Sequence, residues 1–174
     1  GHKKVNLPEF LKEFDSLLNQ GDFDKPQEML NNLRGLKKWQ LLNLQSVIDY
    51  KKGNVELAED LIRQALREPD VKTSINRNLA GMLINQGRMR EALPYAEVAY
   101  RADTNDIKAA QLFLNCLLDL GKADLVLQET EKILKTHPED KVVLVSRASA
   151  LRSSMNEKAA SEELDRLIKK FPTE

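Results

Sequence analysis

Asn85-Gln86-Gly87-Arg88 has one counterpart 34 residues earlier, Lys51-Lys52-Gly53-Asn54, and another 34 residues later, Asp119-Leu120-Gly121-Lys122. Each glycine ends one helix-like stretch and precedes another. A further step of 34 lands on Met155-Asn156, inside a segment with the same apolar pattern. A period of this length, built from two short helices and a turn, marks a solenoid of helical hairpins.

Anchoring on the glycines divides the chain into units 39–72, 73–106, 107–140 and 141–174, with a shorter unit, 7–38, around Asn19-Gln20-Gly21-Asp22. Residues 1–6 read as a tag remnant and lead-in. The chain as a whole reads as a fragment of something longer. Within each unit the first helix is expected over the first 14 residues or so, before a left-handed glycine closes it. Breaks between units fall at Pro69-Asp70, Asp103-Thr104-Asn105-Asp106, His137-Pro138-Glu139-Asp140 and Phe171-Pro172, where proline stops a helix and Asp, Asn or Thr can cap the next. Asn54 and Asn156 are the expected N-caps of second helices. Pro26 predicts a bent or late-starting second helix in the first unit. Gln45, Asp49 and Arg147 sit where apolar residues are expected.

These residues resemble the tetratricopeptide repeat family over nearly the whole chain. Unit 73–106 carries Leu79, Ala80, Leu83, Gly87, Ala92 and Ala99, and unit 39–72 carries Ser46, Gly53, Ala58 and Ala65. Unit 107–140 keeps Phe113, Leu117, Gly121 and Pro138, but Val126 and Ile133 replace its small residues. Unit 141–174 keeps Ala148, Leu151, Ala160 and Pro172. Small side chains at those places let helix backbones approach closely. The resemblance implies an all-α, right-handed superhelical solenoid of five helical hairpins, about ten helices.

Composition excludes several functions. Lys+Arg and Asp+Glu number 27 each, so there is no basic footprint for nucleic acid or an anionic membrane. Aromatics at 5% are too sparse for a single-strand stacking platform. No run approaches the roughly 20 apolar residues a membrane span needs. Cys116 is the only cysteine and, apart from His2 in the lead-in, His137 the only histidine, so no metal site of the usual three or four ligands can form from them. Cys116 lies in Leu114-Asn115-Cys116-Leu117-Leu118, which predicts a buried, inert thiol. The carboxylates alternate with Lys and Arg on second helices, as in Glu59…Arg63 and Glu162…Arg166, the pattern of a solvated face. No catalytic constellation and no cofactor motif is present, so the expectation is a protein that is not an enzyme.

In the family the first helices line a concave, ligand-facing surface. Carried over residue by residue, the resemblance names Gln40, Asn43, Val47 and Tyr50, then Ser74, Arg77, Asn78, Gly81 and Asn85. Lys108, Gln111, Asn115 and Asp119 follow, then Ser146, Ser149, Arg152 and Ser153. The candidate partner-binding residues are Asn43, Tyr50, Arg77, Asn78, Lys108, Gln111, Asn115 and Arg152. Amides, hydroxyls and spaced cations suit an extended peptide backbone, with a polysaccharide or glycan as the second ligand class. The family's chaperone-tail clamp is matched only by Asn78 and Lys108, while Asn43, Val47 and Leu112 cannot supply its remaining charges. Heat-shock chaperone tails are therefore not expected.

The leading expectation is a non-catalytic interaction or scaffold module that binds a protein segment. Two rivals come from fold analogy: the repeat arm of a larger bacterial glycosyltransferase or sulfotransferase, and a periplasmic scaffold for exopolysaccharide export or envelope assembly. A cytoplasmic and a periplasmic location are both compatible with the sequence. The polar first helix and apolar second helix of the last unit predict either a further domain or an end-to-end homodimer covering Leu164, Leu167, Ile168 and Phe171.

Overall fold

The computed structural model describes residues 6–170. Among them are nine α-helices and one 3-10 turn, Thr73–Ile75. In chain order they are α1 Leu7–Asn19, α2 Asp24–Asn32, α3 Lys38–Lys51, α4 Val55–Leu66, α5 Asn76–Asn85, α6 Met89–Ala102, α7 Ile107–Asp119, α8 Ala123–Thr136 and α9 Lys141–Lys170. Two compact units divide within α5, between Met82 and Leu83. In the first unit α1 packs on α2, α2 on α3 and α3 on α4; in the second, α6 packs on α7, α7 on α8, and α9 on both α7 and α8.

The glycine period corresponds to one turn repeated. The N–H following the glycine donates to the carbonyl four residues before it: Asn54 to Asp49 at 2.8 Å, Arg88 to Leu83 at 2.9 Å and Lys122 to Leu117 at 2.8 Å. The shorter first unit has the same bond, Asp22 to Leu17 at 2.9 Å. This is the Schellman closure, which requires a left-handed residue, and Gly53 and Gly87 supply it with φ of 94° and 75°. The residue after each turn then occupies the N-cap position through its backbone alone: the Asn54, Arg88 and Lys122 carbonyls accept from Ala58, Ala92 and Val126. Asn54 thus holds the expected position without a side-chain cap bond. Its amide instead approaches Asp49 Oδ1 at 3.5 Å.

The core follows the period too. Ala58, Ala92 and Val126 are fully buried, and so are Ile62, Ala96 and Thr130, the next column on the second helices. In the first unit Phe14, Leu18, Leu30, Leu33, Leu44 and Ile48 form one cluster, with Phe10 stacked on Phe14 at 5.7 Å. Pro26 is buried in the first turn of α2, where a missing N–H costs no helix bond because the residue four back, Asp22, lies before the helix. That helix starts one residue later after its glycine than α4 does, and it is short.

The polar residues at apolar positions are satisfied locally. Gln45 and Gln27 exchange two amide bonds of 2.8 Å across α3 and α2, and Gln45 also donates to Asp49 Oδ2 at 3.1 Å. Arg147 Nη1 reaches from α9 to the Leu127 carbonyl at 2.8 Å and Thr130 Oγ1 at 2.9 Å on α8. A buried donor or acceptor left alone costs about 1–3 kcal/mol, so these bonds explain how the core tolerates them. Arg101 packs beside the stacked Tyr100 and Phe113 rings and bonds Glu129 at 3.3 Å, joining α6 to α8.

The last unit departs from the expected hairpin. No break occurs at Met155-Asn156: α9 runs unbroken through 30 residues. Asn156 therefore lies inside a helix and caps none, and the expected tenth helix is the second half of α9. The reason is local. Met155 replaces the glycine, and an L side chain pays about 1–2 kcal/mol to adopt the left-handed turn. Glu157-Lys158-Ala159-Ala160 beyond it are good helix formers. Arg166 pairs with Glu163 in place of the expected Glu162, whereas Glu59 and Arg63 pair as expected at 3.2 Å. Phe171 and Pro172 lie outside the described residues, as does most of the lead-in, residues 1–5.

Candidate binding groove

In the second unit a hollow of about 580 Å³ lies between the C-terminal half of α7 and the middle of α9. Asn115 and Asp119, one helical turn apart on α7, form one wall, and Ser149 and Ser153 on α9 face them. Both pairs have the i,i+4 spacing that places side chains on one helix face. Met89, Leu118 and Ala123 supply the apolar part. A second hollow of about 430 Å³ shares Ser149 and Ser153 and adds Arg152, Asn156 and Glu157. Together they offer amide, hydroxyl and carboxylate groups, one guanidinium, and a short apolar floor.

Of the candidate residues, Asn115 and Arg152 line these adjoining hollows. Gln111 is half-buried, and its amide nitrogen donates to both Asp140 oxygens at 3.2 and 3.1 Å. Asp140 also accepts from the Val143 N–H at 3.0 Å and so caps α9. Gln111 thus braces the start of α9. Lys108 is exposed one turn before Leu112. In the first unit Asn78 donates to Asn43 Oδ1 at 2.7 Å, bringing those two together across α5 and α3, while Tyr50 and Arg77 are half-buried. Among the other family-implied positions, Ser146 is buried against the preceding helices, and the Gln40 side chain accepts from the Lys37 N–H at 2.8 Å.

Met89 and Ala123 were not among the sequence-derived site residues. Their signal lay in the repeat itself: both stand two residues after a glycine, and Glu157, in the adjoining hollow, is the next member of that series.

Cys116 is fully buried, and burial, aided by the Asp119 carboxylate, pushes its thiol up to about 11. Between the usual thiol value and this one, the folded chain holds a proton that the unfolded chain releases. The associated stability is complete below pH 9 and is lost as pH rises toward 11. At pH 8 Cys116 is expected to react with a disulfide reagent at least ~100-fold more slowly in the native protein than in denaturant. Equal rates would show that the thiol is accessible.

Among the described residues no helix is long and apolar enough to cross a membrane, and no cluster of three or more His, Cys, Asp or Glu side chains could hold a metal. No protein-family model matches the chain, and no curated protein matches it in sequence. Solved structures do match. The chain is similar to YrrB, described as a TPR protein with an unusual peptide-binding site, at 22% identity and TM-score 0.64, covering 96% of this chain and 82% of that one. It is similar to a tetratricopeptide repeat protein from Parabacteroides merdae at 17% identity and TM-score 0.68, covering 96% and 67%. It is similar to MamA MSR-1 at 14% identity and TM-score 0.67, covering 94% and 98%. The fold is the all-α helical-hairpin repeat of tetratricopeptide repeat proteins.

Proposed function

We propose that this chain is a non-catalytic interaction module that holds an extended protein segment between α7 and α9. The observation that carries this reading is the composition of the larger hollow. Asn115, Asp119, Ser149 and Ser153, four positions that the resemblance to tetratricopeptide repeats implies are ligand-facing, line one cavity. Amides and hydroxyls spaced one helical turn apart can pair with the N–H and C=O groups of an extended backbone, while Met89 and Leu118 accept an apolar side chain. The peptide-binding site named for YrrB, a protein of the same fold, is consistent with this use. Asn43, Tyr50, Arg77 and Asn78 offer the same chemistry in the first unit.

The test is a random peptide library displayed on phage, selected against the folded protein and followed by calorimetric titration of the enriched peptide. Asn115→Ala with Arg152→Ala is expected to weaken binding at least ~10-fold, worth about 1.4 kcal/mol. Both side chains are exposed, so thermal stability should hold. Unchanged affinity would move the site elsewhere, and failure to enrich any peptide would count against a protein segment as the ligand.

A further inference from the structure

Leu41 breaks the burial column of its position in the repeat. Ile75, Ala109 and Val143, at successive steps of 34, are 8%, 0% and 0% exposed, whereas Leu41 is 36% exposed. The preceding helix accounts for the difference. Those three positions follow α4, α6 and α8, which have 12, 14 and 14 residues. Leu41 follows α2, which has nine and ends at Leu33 in extended backbone. A hollow of about 370 Å³ opens there, bounded by the end of α2, the N-terminal half of α3 and Leu61 of α4.

The lining has a definite chemistry. Leu30, Leu33, Leu41, Leu42 and Leu61 make an aliphatic floor, and no aromatic ring or carboxylate is among the lining residues. Arg34 and Lys38 complete it, both exposed to solvent. Arg34 Nη1 donates to the Asn31 and Leu33 carbonyls at 2.9 and 3.3 Å, which fixes the guanidinium beside the hollow through one of its three nitrogens. Lys38 meets Glu68 at 3.6 Å, an exposed pair of little net worth that an arriving anion can replace. The two amides of the lining are already engaged. Gln45 exchanges bonds with Gln27 and donates to Asp49, and Asn31 Oδ1 accepts from Gln27 Nε2 at 3.0 Å. A peptide backbone needs free donors and acceptors to hold it. This hollow presents an aliphatic surface and positive charge instead, and its volume is that of a small-molecule site.

We propose that the hollow binds a small aliphatic carboxylate, its chain lying on the leucines and its anionic end paired with Arg34 and Lys38. It shares no residue with the α7–α9 groove and is independent of what that groove holds. The test is a titration with sodium octanoate and, in parallel, with uncharged octan-1-ol, followed by amide proton–nitrogen correlation spectra. Octanoate should produce saturable shifts centred on Leu41, Leu42 and Leu61, with a dissociation constant of about 1 mM or tighter. Octan-1-ol should bind the same residues at least ~10-fold more weakly. Arg34→Gln with Lys38→Gln alters two exposed side chains and should bring octanoate down to the affinity of the alcohol. Leu41→Glu, at a position already open to solvent, should abolish binding of both probes while helicity is retained. Absence of saturable shifts at these leucines would overturn the proposal. So would equal affinity for the acid and the alcohol, or octanoate binding that is indifferent to either variant.

Discussion

Leu114→Ala is expected to destabilise the protein by about 3 kcal/mol and lower its thermal midpoint by about 6–12 °C in a far-ultraviolet circular dichroism melt. Leu114 lies on α7 with no exposed surface, between Phe113 and Cys116, which are themselves buried. Truncation removes its transfer energy and leaves a cavity among rigid helices that cannot collapse without disturbing the repeat spacing. Its counterparts Ser46 and Ala80 are small and also fully buried, so the leucine volume is a local requirement of the second unit. Leu125→Ala on α8 is the control. That side chain is 42% exposed, and its loss should cost well under half as much. Equal losses would mean that α7 and α8 pack differently from the arrangement described.

Phe14→Ala should cost about 3–5 kcal/mol in the first unit. Phe14 is fully buried at the centre of a cluster drawn from α1, α2, α3 and the segment between α2 and α3. Its stacking on Phe10 adds to the area it removes from water. Trp39, the only tryptophan and a buried one in the same unit, provides the reporter. Its emission should shift toward that of a solvated indole at lower denaturant in the variant. If the first hairpin were a loose lead-in, the substitution would leave Trp39 unaffected.

Much of this architecture was legible from a few residues. The 34-residue glycine interval located three turns that share one hydrogen-bond pattern, and Asp106 and Asp140 were readable as helix starts. The apolar columns were legible because burial in a hairpin repeat depends on position within the period. The last unit was misread for the same reason. Its apolar columns persist at Leu164 and Leu167, but periodicity reports which faces want burial, while the backbone at Met155 decides whether the chain turns. The groove was half legible. Asn115, Asp119, Ser149 and Ser153 follow from the resemblance, yet their meeting around one cavity depends on how α7 packs against α9. Gln111 shows the limit most clearly. An amide on a ligand-facing position reads as a recognition group, and only the position of Asp140 reveals that it braces the start of the next helix.

The paired caps have an implication for how such a chain can lengthen. Asp106 accepts from the Ala109 N–H at 3.2 Å at the start of α7, and Asp140 accepts from the Val143 N–H at 3.0 Å at the start of α9. Each cap closes the cassette before it and starts the helix after it. A tandem duplication of residues 107–140 would therefore carry its own starter for whatever follows, and its one new junction, Asp140 followed by Ile107, would again set an aspartate immediately before the first residue of a helix. Growth by whole cassettes needs no newly invented connector, whereas an insertion placed directly after Asp106 or Asp140 and lacking a terminal aspartate of its own would separate the cap from the helix it starts.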